Sequence, residues 1–382
     1  MYARKSLGCA AVLLAGLYSA AALTTISPVL TNATWLGNQF QFTLRGETNV
    51  AYILESSSDL RIWTRVITNS ESETTRTIIV PAAITPAFWR VRPVPAPVFE
   101  HAVLASGFIN LGGSGRIDSF NSTNSLESTL GQYDPAKATD RASVATNRRL
   151  TNAISVGNMA VHGSVMTGPG AWVTVAPNGV VGSKLFAENP LSGGRIETGH
   201  IRSDFRALLP PPSLPADFGP ASFVNPALVP LTGGTNYRYA ILTDGDYQMG
   251  SMSIGNGEKM LINAKARLHV LGSTTVSGSG YILLGPEGSI EWYARGQVSL
   301  GGGGCINDSR QATSFSIIGL TTSTISYSGI APFIGTIYAR HSPVTLTGTS
   351  DAVGAIVCTN FALTGTMGLH FDESLKSAGH YY

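Results

Sequence analysis

Residues 334–365 read IGTIYARHSPVTLTGTSDAVGAIVCTNFALTG, and they decide the fold because they hold one pattern twice. The five residues 334–338 return as 353–357, an offset of 353 − 334 = 19 positions. The segment Val344–Gly348 returns as Phe361–Gly365, an offset of 361 − 344 = 17 positions. Repeats of roughly 17–24 residues that hold short strands are typical of the rungs of a β-solenoid, which bury their apolar residues by stacking.

A second repeat lies upstream of the first. The pattern G-x-x-x-V-x-G-x-G begins at Gly272 and recurs at Gly296, 296 − 272 = 24 positions later, with Leu in place of Val. Residues 325–329 form a looser third copy of the 344–348 segment. The shared glycine positions favour a parallel β-helix, with glycine at corners that need positive φ. The alternative is a long β-sandwich or jelly roll, whose turns also recur at short intervals.

The N-terminus has the pattern of a cleavable signal peptide. Arg4 and Lys5 are followed by an apolar stretch from 7 to 22, and residues 20–22 form an A-x-A site. We therefore predict a signal peptide at 1–22 and a secreted or cell-envelope location. The apolar stretch of 22 − 7 + 1 = 16 residues is shorter than the roughly 20 that span a bilayer. Cys9 precedes most of this stretch, which argues against lipid attachment there.

Between the signal peptide and a proline-rich linker at 93–100, residues 27–92 alternate apolar and polar side chains with period two, as in Phe40, Phe42 and Leu44. This period predicts strands with one buried face, and so a small antiparallel β-sandwich. Four large aromatic residues are available to close its core: Trp35, Trp63, Phe88 and Trp89.

Residues 101–382 are predicted to form the β-helix-like domain. Its proline-rich stretch at 208–230 is either an excursion that runs extended over the surface or a hinge between two lobes. Near the C-terminus, residues 371–376 are predicted to form a short helix with Asp372 as its N-cap. We expect this helix to cap the open end of the last rung, which is otherwise an exposed edge.

Charge excludes some classes of partner. Only 13% of the residues are charged, about half the usual share, and the net charge of +2 becomes 2 − 2 = 0 without Arg4 and Lys5. A neutral chain has no electrostatic reason to bind nucleic acid or an anionic membrane surface. Extracellular polysaccharide and envelope proteins remain as predicted partners.

The segment from residue 131 to the end resembles a family of uncharacterised secreted bacterial proteins. The motifs that carry the resemblance are GQYDP at 131–135, ATN at 145–147, GSV at 163–165, TGPG at 167–170, the stretch 247–304, GTIYA at 335–339 and HFDE at 370–373. The resemblance implies a right-handed parallel β-helix, or solenoid, in a surface or pilus-associated protein without an established activity. The segment YILESS at 52–57 is similar to a small β-sandwich module that accompanies secreted proteins.

Candidate ligands for metal ions are few, and we predict no cofactor. His370 is the only histidine with acids beside it, Asp372 and Glu373, and on a strand His370 and Asp372 share one side. The competing interpretation is that Asp372 caps the terminal helix and His370 packs near it. Asp244 and Asp246 flank a glycine, which suits either a calcium ligand pair or, more simply, a turn.

Two cysteines remain after the signal peptide, Cys305 and Cys358, 358 − 305 = 53 positions apart. An oxidising compartment allows a disulfide between them. The alternative is that both are small buried apolar side chains. The residues alone leave these two interpretations open.

The repeats offer no paired carboxylates for catalysis. The acids between 264 and 365 are Glu287, Glu291, Asp308 and Asp351, and none are two positions apart. Polysaccharide lyases and glycosidases need converging acids, so we predict no catalytic residues, although acids on different rungs can meet in space. Threonines that recur in the repeats suggest a face of aligned hydroxyls, or simply residues suited to outward strand positions: Thr321, Thr322, Thr345, Thr347, Thr364 and Thr366.

These observations favour a non-enzymatic secreted or cell-surface structural or adhesion module that presents a rigid surface rich in Gly, Thr and Ser. One alternative is a carbohydrate-binding or polysaccharide-degrading β-helix protein. Another is an ice- or surface-binding protein that uses its threonine face.

Overall fold

The computed structural model describes residues 12–13, 28–36, 39–46, 52–60, 63–69, 75–81, 88–93, 98–215, 217–224, 229–230 and 236–377. The chain divides into two compact units, Met1–Ala96 and Pro97–Tyr382, and the division lies within the proline-rich stretch 93–100. Apart from Val12–Leu13, the predicted signal peptide lies outside the described residues. No helix in the described part of the chain is both long and apolar enough to cross a membrane.

The described residues of the first unit form two β-sheets. The strands are β1 Val12–Leu13, β2 Val29–Leu36, β3 Gln39–Arg45, β4 Tyr52–Ser57, β5 Thr64–Asn69, β6 Thr75–Pro81 and β7 Phe88–Pro93. Strands β2, β3 and β6 form one antiparallel sheet; β7, β4 and β5 form the other, and β1 pairs with β7 in parallel. The alternation noted in the sequence places one face of each sheet in a common core.

The described core of this unit mixes aromatic and aliphatic side chains: Phe42, Tyr52 and Trp89 pack with Leu30, Leu44, Leu54, Ile78 and Val80. Trp89 is buried with its ring centroid 5.1 Å from that of Phe42. Trp63 is only half-buried, and the guanidinium of Arg90 lies 4.2 Å from its ring centroid. Phe88 is also half-buried, while the side chain of Trp35 lies outside the described residues. Trp89 is thus the one residue of the four predicted core aromatics that the structure shows buried.

The described residues of the second unit form three parallel sheets, which we call the main sheet, the ladder sheet and the short sheet. The main sheet has fifteen strands among the described residues: β8 Val103–Ala105, β10 Arg116–Phe120, β11 Ala142–Thr146, β13 Ala160–Met166, β15 Val180–Gly182, β16 Arg195–Ile196, β17 Ile201–Arg202, β18 Ser222–Phe223, β22 Gly245–Met249, β25 Lys265–Val270, β28 Ser289–Ala294, β31 Phe315–Gly319, β33 Phe333–Ala339, β35 Ala352–Cys358 and β37 Leu369–Asp372.

The ladder sheet has nine described strands: β9 Ile109–Leu111, β12 Ile154–Val156, β14 Val173–Val175, β23 Met252–Ile254, β26 Thr274–Val276, β29 Val298–Leu300, β32 Ile325–Tyr327, β34 Val344–Gly348 and β36 Phe361–Gly365. The short sheet consists of β21 Tyr239–Ile241, β24 Lys259–Ile262, β27 Tyr281–Leu284 and β30 Gly304–Asn307, and a separate hairpin joins β19 Val229–Pro230 to β20 Asn236–Tyr237. Helical turns are short: α1 Lys184–Ala187 and the 3-10 turns Pro190–Ser192, Ala312–Ser314 and Glu373–Lys376.

The sequence repeats pair with each other in register. Gly335 of β33 lies opposite Gly354 of β35, and Gly348 of β34 lies opposite Gly365 of β36. The offsets of 19 and 17 residues predicted from the sequence are therefore confirmed. The upstream repeat also aligns, since Val276 of β26 pairs with Leu300 of β29, 300 − 276 = 24 positions later.

Stacking buries columns of apolar residues between the sheets. One column in the main sheet is fully buried and runs through Leu268, Trp292, Ile317, Ile337 and Ile356 in register. Each such side chain contributes about 1.5–3 kcal/mol when it leaves water. Because such a column joins one strand to the next, each repeat buries its inward residues against its neighbours, and the repeats stabilise one another.

The two ends of this unit's chain meet inside the main sheet. From β22 the strands follow chain order to β37, and β37 then pairs with β10, which leads on to β13, β15 and β16. The 3-10 turn after β37 begins as predicted, since the carboxylate of Asp372 accepts a hydrogen bond from the amide of Ser374 at 3.1 Å. The predicted role of this turn as a cap on an open end is wrong, because β10 covers the edge of β37.

A connecting segment, described at residues 203–215 and 217–224, crosses the outer face of the main sheet; we call it the strap. The hydroxyl of Tyr338 and the guanidinium of Arg340 donate to the carbonyls of Pro210 and Leu209. Farther along, β18 joins β22. The described part of the proline-rich stretch thus lies along the surface, and the stretch belongs to one compact unit and does not separate two lobes.

Arg267 anchors the far part of the strap, and we expect Arg267→Ala to loosen it. The guanidinium lies 2.8 Å from the carboxylate of Asp217 on the strap and 2.6 Å from that of Asp246 on β22. The variant should lose about 1–2 kcal/mol of local stability at the strap. This loss would raise the fraction of molecules in which the strap is detached from the sheet roughly 5–30-fold. Limited proteolysis within 203–224 should accelerate accordingly. Arg238→Ala, which removes an ion pair with Glu258 away from the strap, should leave the cleavage rate unchanged; equal rates for both variants would contradict the assignment.

Candidate functional site: an uncharged ladder face and a buried histidine cluster

Every strand of the ladder sheet presents an outward side chain at the equivalent position, and these side chains form a row. In β9, for example, Ile109 and Leu111 point into the core and Asn110 between them is exposed. The parallel register places the equivalent residue of each strand beside the next. In spatial order the row is Thr174, Ser155, Asn110, Ala362, Thr345, Ser326, Ser299, Thr275 and Ser253. We call this surface the ladder face.

The nine strands of the ladder sheet contain no Asp, Glu, Lys, Arg or His. At the usual strand spacing the row extends over roughly 38 Å, eight intervals of about 4.8 Å. The backbone groups of interior strands are paired on both sides, so the row is rigid. An extended uncharged face of this kind can hydrogen-bond a partner and offers it no Coulomb attraction of either sign.

Three of the six predicted threonines lie on this face. Thr345 is in the row itself, while Thr347 and Thr364 pair beside it with their hydroxyl oxygens 2.8 Å apart. Thr321 instead lies in a turn, where its hydroxyl donates to the carbonyl of Arg295. The row is consequently a mixture of Ser, Thr, Asn and Ala, and not a ladder of threonines alone.

A buried cluster of polar side chains lies on the main sheet where the two chain ends meet. His370 of β37 is directly opposite Asp118 of β10, and both side chains are at most 2% exposed. The imidazole Nδ1 is 2.5 Å from the Asp118 carboxylate. Tyr133, from the insertion at 121–141 between β10 and β11, stacks on the imidazole at 3.6 Å and donates its hydroxyl to Asp118 at 2.7 Å.

Two charged residues complete this cluster. Arg116 Nε lies 3.1 Å from the Asp118 carboxylate, and the Asp351 carboxylate lies 3.3 Å from His370 Nε2. Two acids therefore converge on one imidazole, Asp118 from β10 and Asp351 from the residue just before β35. Asp118 has both oxygens engaged and is buried, so this arrangement holds four chain segments together and leaves Asp118 closed to a reactant.

The surroundings of these groups shift their pKa values in opposite directions. Burial by itself lowers the pKa of His370, but the hydrogen bonds and charges of Asp118 and Asp351 outweigh it and raise that pKa above 6.5. The hydrogen bond from His370 lowers the pKa of Asp351. Burial, reinforced by Asp118, raises the pKa of the Tyr133 phenol. The cluster therefore favours a protonated His370 between two carboxylates.

We expect the stabilisation that His370 provides to decline as pH rises. A group whose pKa is higher in the folded than in the unfolded state stabilises fully below its unfolded value, near 6.5, and loses this contribution as pH rises through its folded value. The free energies of unfolding of the wild type and His370→Gln, measured between about pH 5 and 9, should differ most at the acid end. A difference that grows toward alkaline pH would contradict this assignment.

His370 does not form a metal-binding face with Asp372 and Glu373. The Asp372 carboxylate accepts from the amides of Ser122 and Ser374, and Glu373 pairs with Arg141 at 2.9 Å. The described residues hold no cluster of three or more His, Cys, Asp or Glu side chains arranged for a metal ion. Asp372 instead caps the terminal 3-10 turn, as the competing interpretation of the sequence predicted.

The Asp244-Gly-Asp246 segment forms a turn and a strand start. The Asp244 carboxylate accepts from the Lys265 amide at 2.8 Å, and Asp246 is held by Arg267 and by the Gly219 amide. Both carboxylates are thus engaged by the protein itself. The simpler of the two interpretations of this motif, a turn, accounts for the contacts of both carboxylates.

The disulfide that the sequence allows is not formed. Cys305 on β30 and Cys358 on β35 are both free and fully buried. Burial raises the pKa of the Cys305 thiol to about 12 and also raises that of Cys358. Of the two interpretations, the structure shows a pair of separate apolar thiols in the core.

We expect neither Cys305 nor Cys358 to react with a water-soluble thiol reagent in the native protein at about pH 8, because both thiols are protonated and enclosed. Both should react after unfolding in denaturant without a reducing agent. The measurement is the number of thiols labelled before and after denaturation, located by peptide mass. Two thiols that stay unreactive in denaturant until a reductant is added would show that a disulfide joins them.

Of the four acids noted in the repeats, only Asp351 joins the histidine cluster, through His370, while the second carboxylate of that cluster, Asp118, comes from the other end of the domain. Asp118 is 252 positions from His370 along the chain, so no short motif connects them. The GQYDP motif, which contains Tyr133, was the available signal for this cluster, and it marks the residue that stacks on His370. The ladder face could not be predicted from the sequence, because its row is defined only by the register of all nine strands.

One family model matches part of the chain. It is a domain of unknown function (DUF7305), and it covers residues 232–378, which is less than half of the sequence. The similar segment includes His370 and Asp351 but begins after Asp118 and Tyr133. Neither the curated proteins nor the solved structures give a match.

Proposed function

We propose that this protein is a non-enzymatic secreted or cell-surface module that adheres to an extended partner through the ladder face. The observation that carries the proposal is the row of nine in-register outward side chains without a charged residue on any of the nine strands. The parallel sheets support a right-handed parallel β-helix as the fold that presents this row. The signal-like N-terminus at 1–22 supports an extracellular or envelope location.

A rigid uncharged face suits adhesion for a physical reason. Binding costs less when the surface is already ordered, since few side chains lose conformational freedom. Short Ser and Thr side chains on paired strands have little freedom to lose. Many weak hydrogen bonds along roughly 38 Å can then add up on a partner with a matching array of polar groups, such as extracellular polysaccharide or an envelope protein.

The test introduces charge into the middle of the row. Purified protein is mixed with isolated cell-wall sacculi and with insoluble neutral polysaccharides, and the bound fraction is measured by sedimentation. Ser326→Lys combined with Thr345→Lys should abolish binding, because two ammonium groups then need desolvation at the contact. Ser125→Lys combined with Thr313→Lys adds the same charge at exposed sites outside the ladder face and should bind like the wild type.

Two outcomes would count against the proposal. Binding by the ladder variant that equals wild-type binding would remove the ladder face from the function. Release of soluble sugar from any of these polymers by the wild type would contradict the non-enzymatic part.

A further inference from the structure

Two aromatic side chains stand exposed on the otherwise small-residue ladder face. Among the described Phe and Trp side chains, three are classed as exposed: Phe108 at 44%, Trp172 at 53% and Phe223 at 57%. Phe108 immediately precedes β9, and Trp172 immediately precedes β14. Large aromatic surface left in water is a common mark of a contact site, because it gains most when a partner covers it.

The register places the two rings in one row across three adjacent strands. Ile154 of β12 pairs with both Ile109 of β9 and Val173 of β14, so the residues before them align as Phe108, Ala153 and Trp172. Two strand intervals separate the aromatic residues, roughly 9.5 Å. Ala153 between them is small and buried, so no large side chain originates from that strand between the rings.

Hydrogen bonds hold both aromatic residues in place. The indole Nε1 of Trp172 donates to the side-chain oxygen of Asn152 at 2.9 Å. The amide of Phe108 donates to the side-chain oxygen of Asn360 at 2.9 Å. Ala153 is bonded to both neighbouring strands, since its amide donates to Trp172 and its carbonyl accepts from Ile109. The pair is therefore preorganised for a ligand.

Polar and uncharged groups lie directly beside the aromatic pair. Two positions farther along the same strands, Asn110, Ser155 and Thr174 form the corresponding part of the ladder row. Their amide and hydroxyl groups both donate and accept hydrogen bonds. A sugar ring presents the same two chemistries, an apolar C–H face that stacks on an aromatic ring and a rim of hydroxyls.

We propose that the ladder face at β9, β12 and β14 binds a neutral polysaccharide chain that runs across the strands. In this arrangement Phe108 and Trp172 each stack against a sugar face, and Asn110, Ser155 and Thr174 hydrogen-bond the hydroxyls. The absence of Lys and Arg from the ladder strands favours a neutral over an anionic glycan, since no cation there offsets carboxylate or sulfate desolvation. This inference rests on the proposed adhesive function and names its ligand.

The experiment measures depletion of the protein from solution by cellulose, by chitin and by calcium-gelled alginate as an anionic polymer. We expect the wild type to bind one or both of the neutral polymers and not alginate. Phe108→Ala and Trp172→Ala should each weaken that binding roughly tenfold or more, as loss of an aromatic contact typically does. Phe223→Ala removes an exposed ring outside the ladder sheet and should bind like the wild type. Unchanged urea unfolding midpoints would show that all three variants fold.

The outcomes separate this inference from the adhesive function itself. Binding to neither neutral polymer, stronger binding to alginate, or full binding by both aromatic variants would overturn the polysaccharide site. If the wild type nevertheless binds cell-wall sacculi and Ser326→Lys with Thr345→Lys abolishes that binding, the adhesive function stands with a different ligand. If neither probe is bound, both proposals fail.

Discussion

Replacing Asp118 by alanine is expected to lower the free energy of unfolding by about 3–5 kcal/mol, the usual cost of removing one partner from a buried ion pair. The carboxylate is 1% exposed and is engaged by His370, Arg116 and Tyr133 together. Its loss leaves the imidazole with only the half-exposed Asp351 as a counter-charge. Because the pairing of β10 with β37 joins the first and last parts of the domain, the loss weakens the contact between those two parts.

The measurement is urea unfolding at about pH 6, where His370 is most strongly held as a cation. Asp204→Ala is the matched control, because Asp204 also pairs with an arginine but both side chains are exposed. That change should cost less than about 1 kcal/mol. Asp118→Asn should fall between the two, since an amide keeps the shape and one acceptor but loses the charge.

A double-mutant cycle then assigns the loss to the histidine. If Asp118 acts through His370, the effects of Asp118→Ala and His370→Ala should fall short of additivity by roughly 1–3 kcal/mol. Additive effects would mean that Asp118 stabilises the domain through Arg116 and Tyr133 alone. A loss for Asp118→Ala no greater than that for Asp204→Ala would refute the buried-pair account.

Gly354→Ala is the second change with a large expected effect, a loss of roughly 2–6 kcal/mol. A Cβ at this position would lie 1.8 Å from the carbonyl oxygen of Gly335 on the neighbouring strand. The residue also has a φ of +133°, where side chains other than glycine are strained. Because the obstructing atom belongs to the backbone of a paired strand, neither neighbour can move without breaking the ladder.

Two other glycines separate these causes. Gly257→Ala imposes positive φ strain at φ +74° with no atom within 4 Å of the new carbon. Gly250→Ala adds the carbon in open space without that backbone conformation. We expect urea unfolding to rank the losses Gly354 far above Gly257, and Gly257 above Gly250. If the free energies of unfolding of Gly354→Ala and Gly257→Ala lie within 1 kcal/mol of each other, the close approach to Gly335 does not destabilise the protein.

The repeat was readable from sequence because stacking imposes the same local demands on every rung. Each rung needs apolar residues at inward positions and glycine where chains approach closely, so Gly335 with Gly354 and Gly348 with Gly365 recur at fixed offsets. The N-cap at Asp372 was readable for a similar reason, since a cap depends on residues only two or three positions away.

What the sequence determined by itself was thus the all-β class, the offsets of the repeats, the cap at Asp372 and the shortage of charge. The tertiary structure alone decided that β37 pairs with β10, that the strap crosses the main sheet, and that Asp118 meets His370. It also decided which of the recurring Ser and Thr residues form one row, and that Phe108 and Trp172 stand beside it. The physical reason is distance along the chain: these contacts join residues tens to hundreds of positions apart, where no periodicity or local propensity constrains which strand becomes the neighbour of which.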